Sequence, residues 1–156
     1  MRVSIEIDMR QGDFVMISTK GRYSIRIMID LAEHRGRDYV PMKEVAERQG
    51  LSLKYVERIV PVLKEHHLVD SVHGKGGGYR LTKDPDRYTL WEILNATEGD
   101  LAPVACLETD AAPCDRAAEC KTLPVWKNYY KLTKEYFSGI TLADLMGTPI
   151  PDNYVI

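Results

Sequence analysis

Apolar residues recur at helical spacing along most of this chain. Between Ser18 and about Arg35, Tyr23, Ile27, Met28, Leu31 and Ala32 form a broad apolar face, with Ser18 or Thr19 able to cap the segment, so a helix is predicted. A shorter helix over about 42–48 follows Pro41, which suits a first turn, and buries Val45 and Ala46. Gly50 can end it in the left-handed conformation. Ser52 is the expected cap of a third helix over about 53–66, whose buried stripe is Leu53, Val56, Val60 and Leu63. Pro61 lies inside that helix and is expected to bend or loosen the turn before it. Val69–Ser71 and Tyr79–Leu81 have the look of short strands around a glycine-rich tip.

Further along, Thr89 and Glu92 fit a capping box opening a helix to about Thr97, with Trp91 and Leu94 packing the core. Residues 101–123 are irregular. A long helix is predicted from about Pro124 to Phe137, with Trp126, Tyr129, Tyr130, Thr133 and Phe137 on an aromatic-rich side. That is more apolar surface than one short helix needs for its own domain, so a dimerisation helix is expected. Ser138-Gly139 stops it, and Thr141 to Leu145 form a last helical turn.

Helix, tight turn, helix and glycine-tipped hairpin, in that order, make a winged helix-turn-helix. Lys54, Glu57 and Arg58 fall largely off the apolar stripe of the third helix, where base edges and phosphates would be met. The tip, His73-Gly74-Lys75-Gly76-Gly77-Gly78, suits a DNA backbone or minor groove. The pattern alone leaves open a protein-interaction module of the same shape. Charge does not decide, because residues 54–87 hold seven Lys and Arg against five Asp and Glu.

The 156 residues carry a net charge of -2, with 44% apolar and 28% charged residues, which fits a soluble folded protein. No apolar run reaches membrane-spanning length, and the first residues lack a secretory core, so a cytoplasmic protein is expected. Residues 1–15 show only weak alternation over Val3, Ile5 and Ile7, and Met16 is a second credible start; this leader is given no role. Paired carboxylates in an acid–base context, a phosphate loop and a nucleophile triad are all missing, which argues against an enzyme with a small-molecule substrate.

Cys106, Cys114 and Cys120 follow a C-x7-C-x5-C spacing, unlike the close pairs of a zinc finger or the compact repeat of bacterial ferredoxins. Three thiolates on one loop can hold an iron–sulfur cluster with a fourth ligand from elsewhere. The spacing also leaves open zinc, a thiol redox sensor or inert cysteines. Six acids and one arginine lie between 98 and 120, so the loop is expected to face away from DNA.

Taken together, STKGRYSIRIMIDLAEH at 18–34, PMKEVAERQGLSLKYVERIVPVLKEHHLV at 41–69, SVHGKGGGYRLTKDP at 71–85, the loop cysteines, the aromatic helix and ITLADL at 140–145 resemble a known family. It is that of the bacterial winged-helix iron–sulfur regulators that includes IscR and NsrR. The resemblance covers about 16–147. It implies a homodimer in which long helices cross while two winged domains read a near-palindromic, double-stranded DNA operator. By resemblance, Lys54, Tyr55, Glu57 and Arg58 of the third helix, and His73, Lys75 and Gly76 of the wing, are the DNA-binding residues. Arg58 stands where IscR has a glutamine, Lys54 where it has a serine, and His73 where it has a wing arginine, so the resemblance does not fix the operator sequence.

The same resemblance makes Cys106, Cys114 and Cys120 the ligands of a 4Fe–4S or 2Fe–2S cluster. Leu123 occupies the place of the histidine ligand of IscR, and about Arg22 that of the aspartate ligand of NsrR. Glu108, Asp110, Asp115, Glu119, a partner residue or an external ligand are the remaining candidates. The expected organisation is an extension at 1–15, a DNA-binding domain at 16–100, a cluster loop at 101–123, and a dimerisation helix with tail at 124–156. The overall expectation is a mainly α-helical repressor with a two-stranded wing, a cysteine loop and a long C-terminal dimerisation helix, sensing redox, nitric oxide or iron–sulfur status. The competing expectation is a cluster-independent regulator governed by thiol oxidation or a protein partner.

Overall fold

The computed structural model describes residues 17–36 and 39–147. The expected N-terminal arm and the tail with Pro149 and Pro151 lie outside the described residues. The elements run α1 Thr19–Glu33, α2 Met42–Gln49, α3 Leu53–Glu65, β1 Val69–Val72, β2 Gly78–Leu81, α4 Leu90–Glu98, α5 Leu123–Ser138 and α6 Leu142–Leu145. Short 3-10 turns occupy Pro85–Arg87, Ala105–Leu107 and Ala117–Glu119. This is the mainly α-helical winged fold with a two-stranded wing and a long C-terminal helix that the sequence predicts.

Local chemistry sets the helix ends. The Ser18 hydroxyl accepts from the Gly21 amide at 3.3 Å, and the Ser52 hydroxyl from the Tyr55 amide at 3.2 Å. Gly50 closes α2 at φ 62°, letting the Leu51 amide reach back to the Ala46 carbonyl at 2.9 Å. The same closure ends α3, but there the left-handed residue is His67, at φ 58°. Its amide and that of Leu68 donate to the Lys64 and Leu63 carbonyls, both at 2.9 Å. Pro61 stays inside α3, on its exposed side, so the donor it removes would have served the solvent face.

Two local expectations are corrected. Leu53 is 38% exposed, and the buried stripe of α3 instead comprises Val56, Ile59, Val60 and Leu63. At α4 the Thr89 hydroxyl accepts from the Glu92 amide at 3.2 Å, but the Glu92 carboxylate is drawn to Lys83 Nζ at 2.6 Å. A charge-assisted bond across the structure thus displaces the return half of the capping box.

The core gathers Ile27, Met28 and Leu31 of α1, Val45 of α2, the α3 stripe, Ile93 of α4 and Leu142 of α6. Tyr88 is buried among them, and its hydroxyl accepts from the Thr82 and Lys83 amides and donates to the Leu68 carbonyl, each at 2.8 Å. One phenol therefore fastens the base of the wing to the entry of α4. The C-terminal segment clasps that entry: the Leu90 amide donates to Ile140 at 2.9 Å and the Leu142 amide to Tyr88 at 3.0 Å. Among the described residues no helix is long and apolar enough to cross a membrane.

Candidate nucleic-acid interface and cysteine loop

The α3 surface away from the core presents Lys54, Glu57 and Arg58, all exposed. Tyr55 is half-buried, its ring edge-on to Tyr23 of α1 with centroids 5.6 Å apart. It therefore supports the helix as well as bordering its outer face. The Arg26 guanidinium lies over the Tyr23 ring, 5.1 Å from its centroid. It also donates to the Gln49 side chain at 3.2 Å and to the Gln49 carbonyl. Arg26 is thereby committed to joining α1 to the end of α2.

That junction contains a residue set that periodicity did not pick out. Asp30 is 1% exposed in the middle of α1's apolar face. Its carboxylate accepts from Arg48 Nη2 at 2.7 Å, Arg48 Nε at 3.0 Å and Gln49 Nε2 at 3.0 Å. These bonds to Asp30 hold the Arg48 guanidinium above its usual pKa, against burial, with Glu44 adding to the effect. The signal was available: an acid flanked by Ile27, Met28, Leu31 and Ala32 must find a partner or stay out of the core.

The wing pairs Val69 with Leu81, Asp70 with Arg80, Ser71 with Tyr79 and Val72 with Gly78, antiparallel. Val40 adds a bridge to Tyr79, with bonds of 2.8 and 2.9 Å in the two directions. The hairpin is thus held to the segment that enters α2. Its tip turns through Gly74 at φ 97° and Gly76 at φ 75°, leaving His73, Lys75 and Gly76 exposed. A groove between wing and α3 is lined by Glu57, His73, Gly77 and Tyr79, among others. Burial, and then the nearby Glu57 charge, push the Tyr79 hydroxyl above its usual pKa. Of the α3 and wing residues singled out from sequence, Glu57 and His73 line this groove.

Cys106 and Cys114 are exposed and Cys120 is half-exposed; all three are free thiols. Among the described residues, no group of three His, Cys, Asp or Glu side chains stands close enough to hold a metal ion. The loop supplies soft donors that match iron–sulfur chemistry, but it does not gather them. Cys120 Sγ lies 3.5 Å from Thr122 Oγ1, and hydrogen bonds from the Thr122 side chain and amide lower its thiol pKa. Leu123 sits in the first turn of α5, and Arg22 is exposed on α1, where it donates to Thr19 at 3.2 Å. Glu108, Asp110, Asp115 and Glu119 are exposed on the loop.

Asp100 organises the first half of this loop. One carboxylate oxygen accepts from the Thr109 amide at 2.6 Å and the Thr109 hydroxyl at 2.9 Å. The other accepts from the Ala102 amide at 2.8 Å and the Tyr130 hydroxyl of α5 at 3.1 Å. Burial alone would raise the Asp100 pKa; the bonds from Thr109, Ala102 and Tyr130 outweigh it and leave the carboxyl below its usual value.

No residue of α5 is buried. Tyr130 faces Trp91 of α4 with centroids 5.9 Å apart, and Phe137 packs against the core. The opposite side exposes Val125 (59%), Tyr129 (48%), Leu132 (56%) and Tyr136 (66%), spaced four, three and four residues apart. The aromatic side expected from sequence is therefore split between an inward pair and an outward apolar stripe.

Residues 17–148 match the profile of the Rrf2 family, described as an iron-dependent transcriptional regulator. The HTH-type transcriptional regulator IscR of Sodalis glossinidius (strain morsitans) is 35% identical over 130 residues, covering 83% of this chain and 78% of that protein. The structure of CymR, the global cysteine regulator of B. subtilis, superposes with a TM-score of 0.67 at 36% identity, covering 85% of this chain and 96% of that one. T. potens IscR gives a TM-score of 0.64 at 38% identity, covering 83% of this chain and 85% of that one.

Proposed function

The chain belongs to the Rrf2 family of transcriptional regulators, and from that premise we propose that it is a homodimeric repressor that senses redox, nitric oxide or iron–sulfur status through its loop cysteines. At the coarser level it is a DNA-binding transcription regulator and not an enzyme. In this reading Arg58 takes a bidentate guanine contact, Lys54 a phosphate or guanine, and Glu57 accepts from a cytosine amino group. Tyr55 braces the helix from behind. His73 and Lys75 meet the minor groove or backbone, and Gly76 gives the tip its close approach.

Cys106, Cys114 and Cys120 would hold the cluster. When bound, the cluster supplies reactivity toward nitric oxide or oxygen. The protein's own part is to convert loop conformation into the placement of α5, and hence the spacing of two recognition helices. The observation that carries the dimer is the apolar stripe of α5, too exposed for a helix meant to stand alone. The observation that carries the sensor is three free thiols confined to one loop beside that helix.

Anaerobic purification with iron and sulfide analysis, a visible spectrum and operator titration before and after nitric oxide tests the reading. A brown protein, with about three to four iron atoms per subunit if the centre is 4Fe–4S, and a changed operator affinity are expected. A colourless protein holding one zinc would overturn it. A second reading is favoured by the ungathered thiols: a cluster-independent regulator governed by thiol oxidation or a protein partner. Operator affinity that follows oxidation but ignores cluster loading would select it.

A further inference from the structure

Between the cysteine loop and α5 stands one carboxylate that touches both. Asp100 receives the Ala102 amide, the Thr109 amide and hydroxyl, and the Tyr130 hydroxyl. Ala102 and Thr109 lie on either side of Cys106, so two anchors fix the segment that carries that thiol. Tyr130 lies on the inward side of α5, against Trp91, while the apolar stripe occupies the outward side. Two other bonds tie loop backbone to loop backbone around Cys106, Leu107 to Val104 at 3.0 Å and Glu108 to Ala105 at 3.2 Å. Neither reaches α5.

We propose that Asp100 is a positioning residue that couples the Cys106 segment to α5, with Tyr130 as its contact on the helix. This rests on the reading of the loop as the sensing element. A carboxylate suits the task because its two oxygens accept four donors at once, so moving the 102–109 backbone redistributes the bonds that also hold Tyr130. An asparagine of the same shape keeps one acceptor oxygen and presents donors where Thr109 also donates. A phenylalanine at 130 keeps the ring against Trp91 and deletes only the link to Asp100.

The full-length protein decides this with Tyr130→Phe and Asp100→Asn. In metal-free protein, Y130F should speed amide exchange at Thr109, and D100N should speed it in the middle of α5, each by about 2- to 12-fold, the range for one lost hydrogen bond. Unchanged exchange in the opposite element overturns the coupling whatever the loop binds. In cluster-loaded protein, Y130F should keep the wild-type iron content and visible spectrum. The ratio of operator affinities between loaded and stripped protein should shrink by a similar factor, from a wild-type value on the order of 5- to 150-fold. The probe is a duplex selected by the wild-type protein from a random library. A Y130F variant with full iron and an undiminished ratio overturns the proposal. A wild-type ratio of one overturns the sensor reading instead, while the exchange comparison still decides whether Asp100 couples the two elements. Thr109→Val deletes the loop-side hydroxyl bond to Asp100 and should likewise speed exchange in the middle of α5; unchanged exchange there also overturns the coupling.

Discussion

Replacing Gly78 with alanine should unseat the wing. A Cβ at this position would lie 2.2 Å from the Val40 carbonyl oxygen, 2.4 Å from its carbon and 2.8 Å from the Pro41 nitrogen. All three are backbone atoms, so no side chain can swing aside. Restoring ordinary contact at about 3.4 Å requires the strand and the 40–41 segment to part by about 1.2 Å. The two bonds of the Val40–Tyr79 bridge, 2.8 and 2.9 Å, would then stretch to about 4 Å and be lost. Two such bonds are worth about 1–3 kcal/mol, and holding the wing in place against the clash costs about as much.

With a urea dependence of about 1–3 kcal/mol per molar, the unfolding midpoint of G78A should fall by about 1 M. Gly36 supplies the control, since nothing lies within 4 Å of its Cβ position and its φ is unexceptional. Alanine there should be neutral or stabilising by up to about 1 kcal/mol. Because the bridge carries the hairpin, G78A should also weaken DNA binding at temperatures where it remains folded. A G78A midpoint equal to that of G36A, with unchanged DNA affinity, would refute the steric argument.

Lys54→Ala should lower the slope of log affinity against log salt by about 0.9 if the lysine neutralises one phosphate, measured by fluorescence anisotropy over a salt series. Arg58→Ala should instead relax base preference at one position by about 1–3 kcal/mol in a competition assay with single-base variants. Leu132→Asp, on the outward stripe of α5, should raise the dimer dissociation constant at least about 100-fold in sedimentation equilibrium, since it puts an unpaired charge in an apolar contact. His67→Gly should stabilise the fold by about 0.5–1 kcal/mol in urea, because a side chain at φ 58° is strained where glycine is not. The Asp144 carboxyl, held below its usual pKa by the Thr141 amide and hydroxyl, stabilises the α6 cap above about pH 4; that contribution is lost as pH falls through the lower folded value. Thr141→Val should move its NMR titration back toward about 3.9.

Periodicity and capping chemistry made most of the scaffold legible, because Ser18, Ser52, Gly50 and Thr89 act on neighbours three to five residues away. What sequence could not show are contacts formed across the fold. Leu53 sits at the right spacing for the buried stripe but at the first position of α3, beyond the reach of the core. Lys83 takes Glu92 from its own helix cap. Asp30 reaches Arg48 and Gln49 eighteen and nineteen positions away, and Asp100 reaches Tyr130 thirty away. The exposed α3 and wing residues followed from pattern because amphipathicity is a local property. The cysteine loop has no period, so spacing named the donors without fixing their arrangement.

The placement of α4 sets a run of contacts between Asp100 and α3. Its last residue, Glu98, lies two positions before Asp100, and one of its oxygens accepts from both the amide and the hydroxyl of Ser18 at 2.8 Å. That carboxylate fits only because Gly21 lacks a Cβ, which would lie 2.0 Å from it. Ser18 caps α1, α1 carries Tyr23, and Tyr23 meets Tyr55 on α3. After the backbone link through Gly99 that joins Asp100 to Glu98, every step is a hydrogen bond or a packed ring on a helix. Such continuity shifts no equilibrium by itself; it needs an element with two arrangements, each favoured by a different ligand state. In the proposed reading the 101–123 loop would be that element: Cys106 and Cys114 are exposed and Cys120 half-exposed, and drawing the three thiols together around a ligand would move the backbone that Asp100 holds.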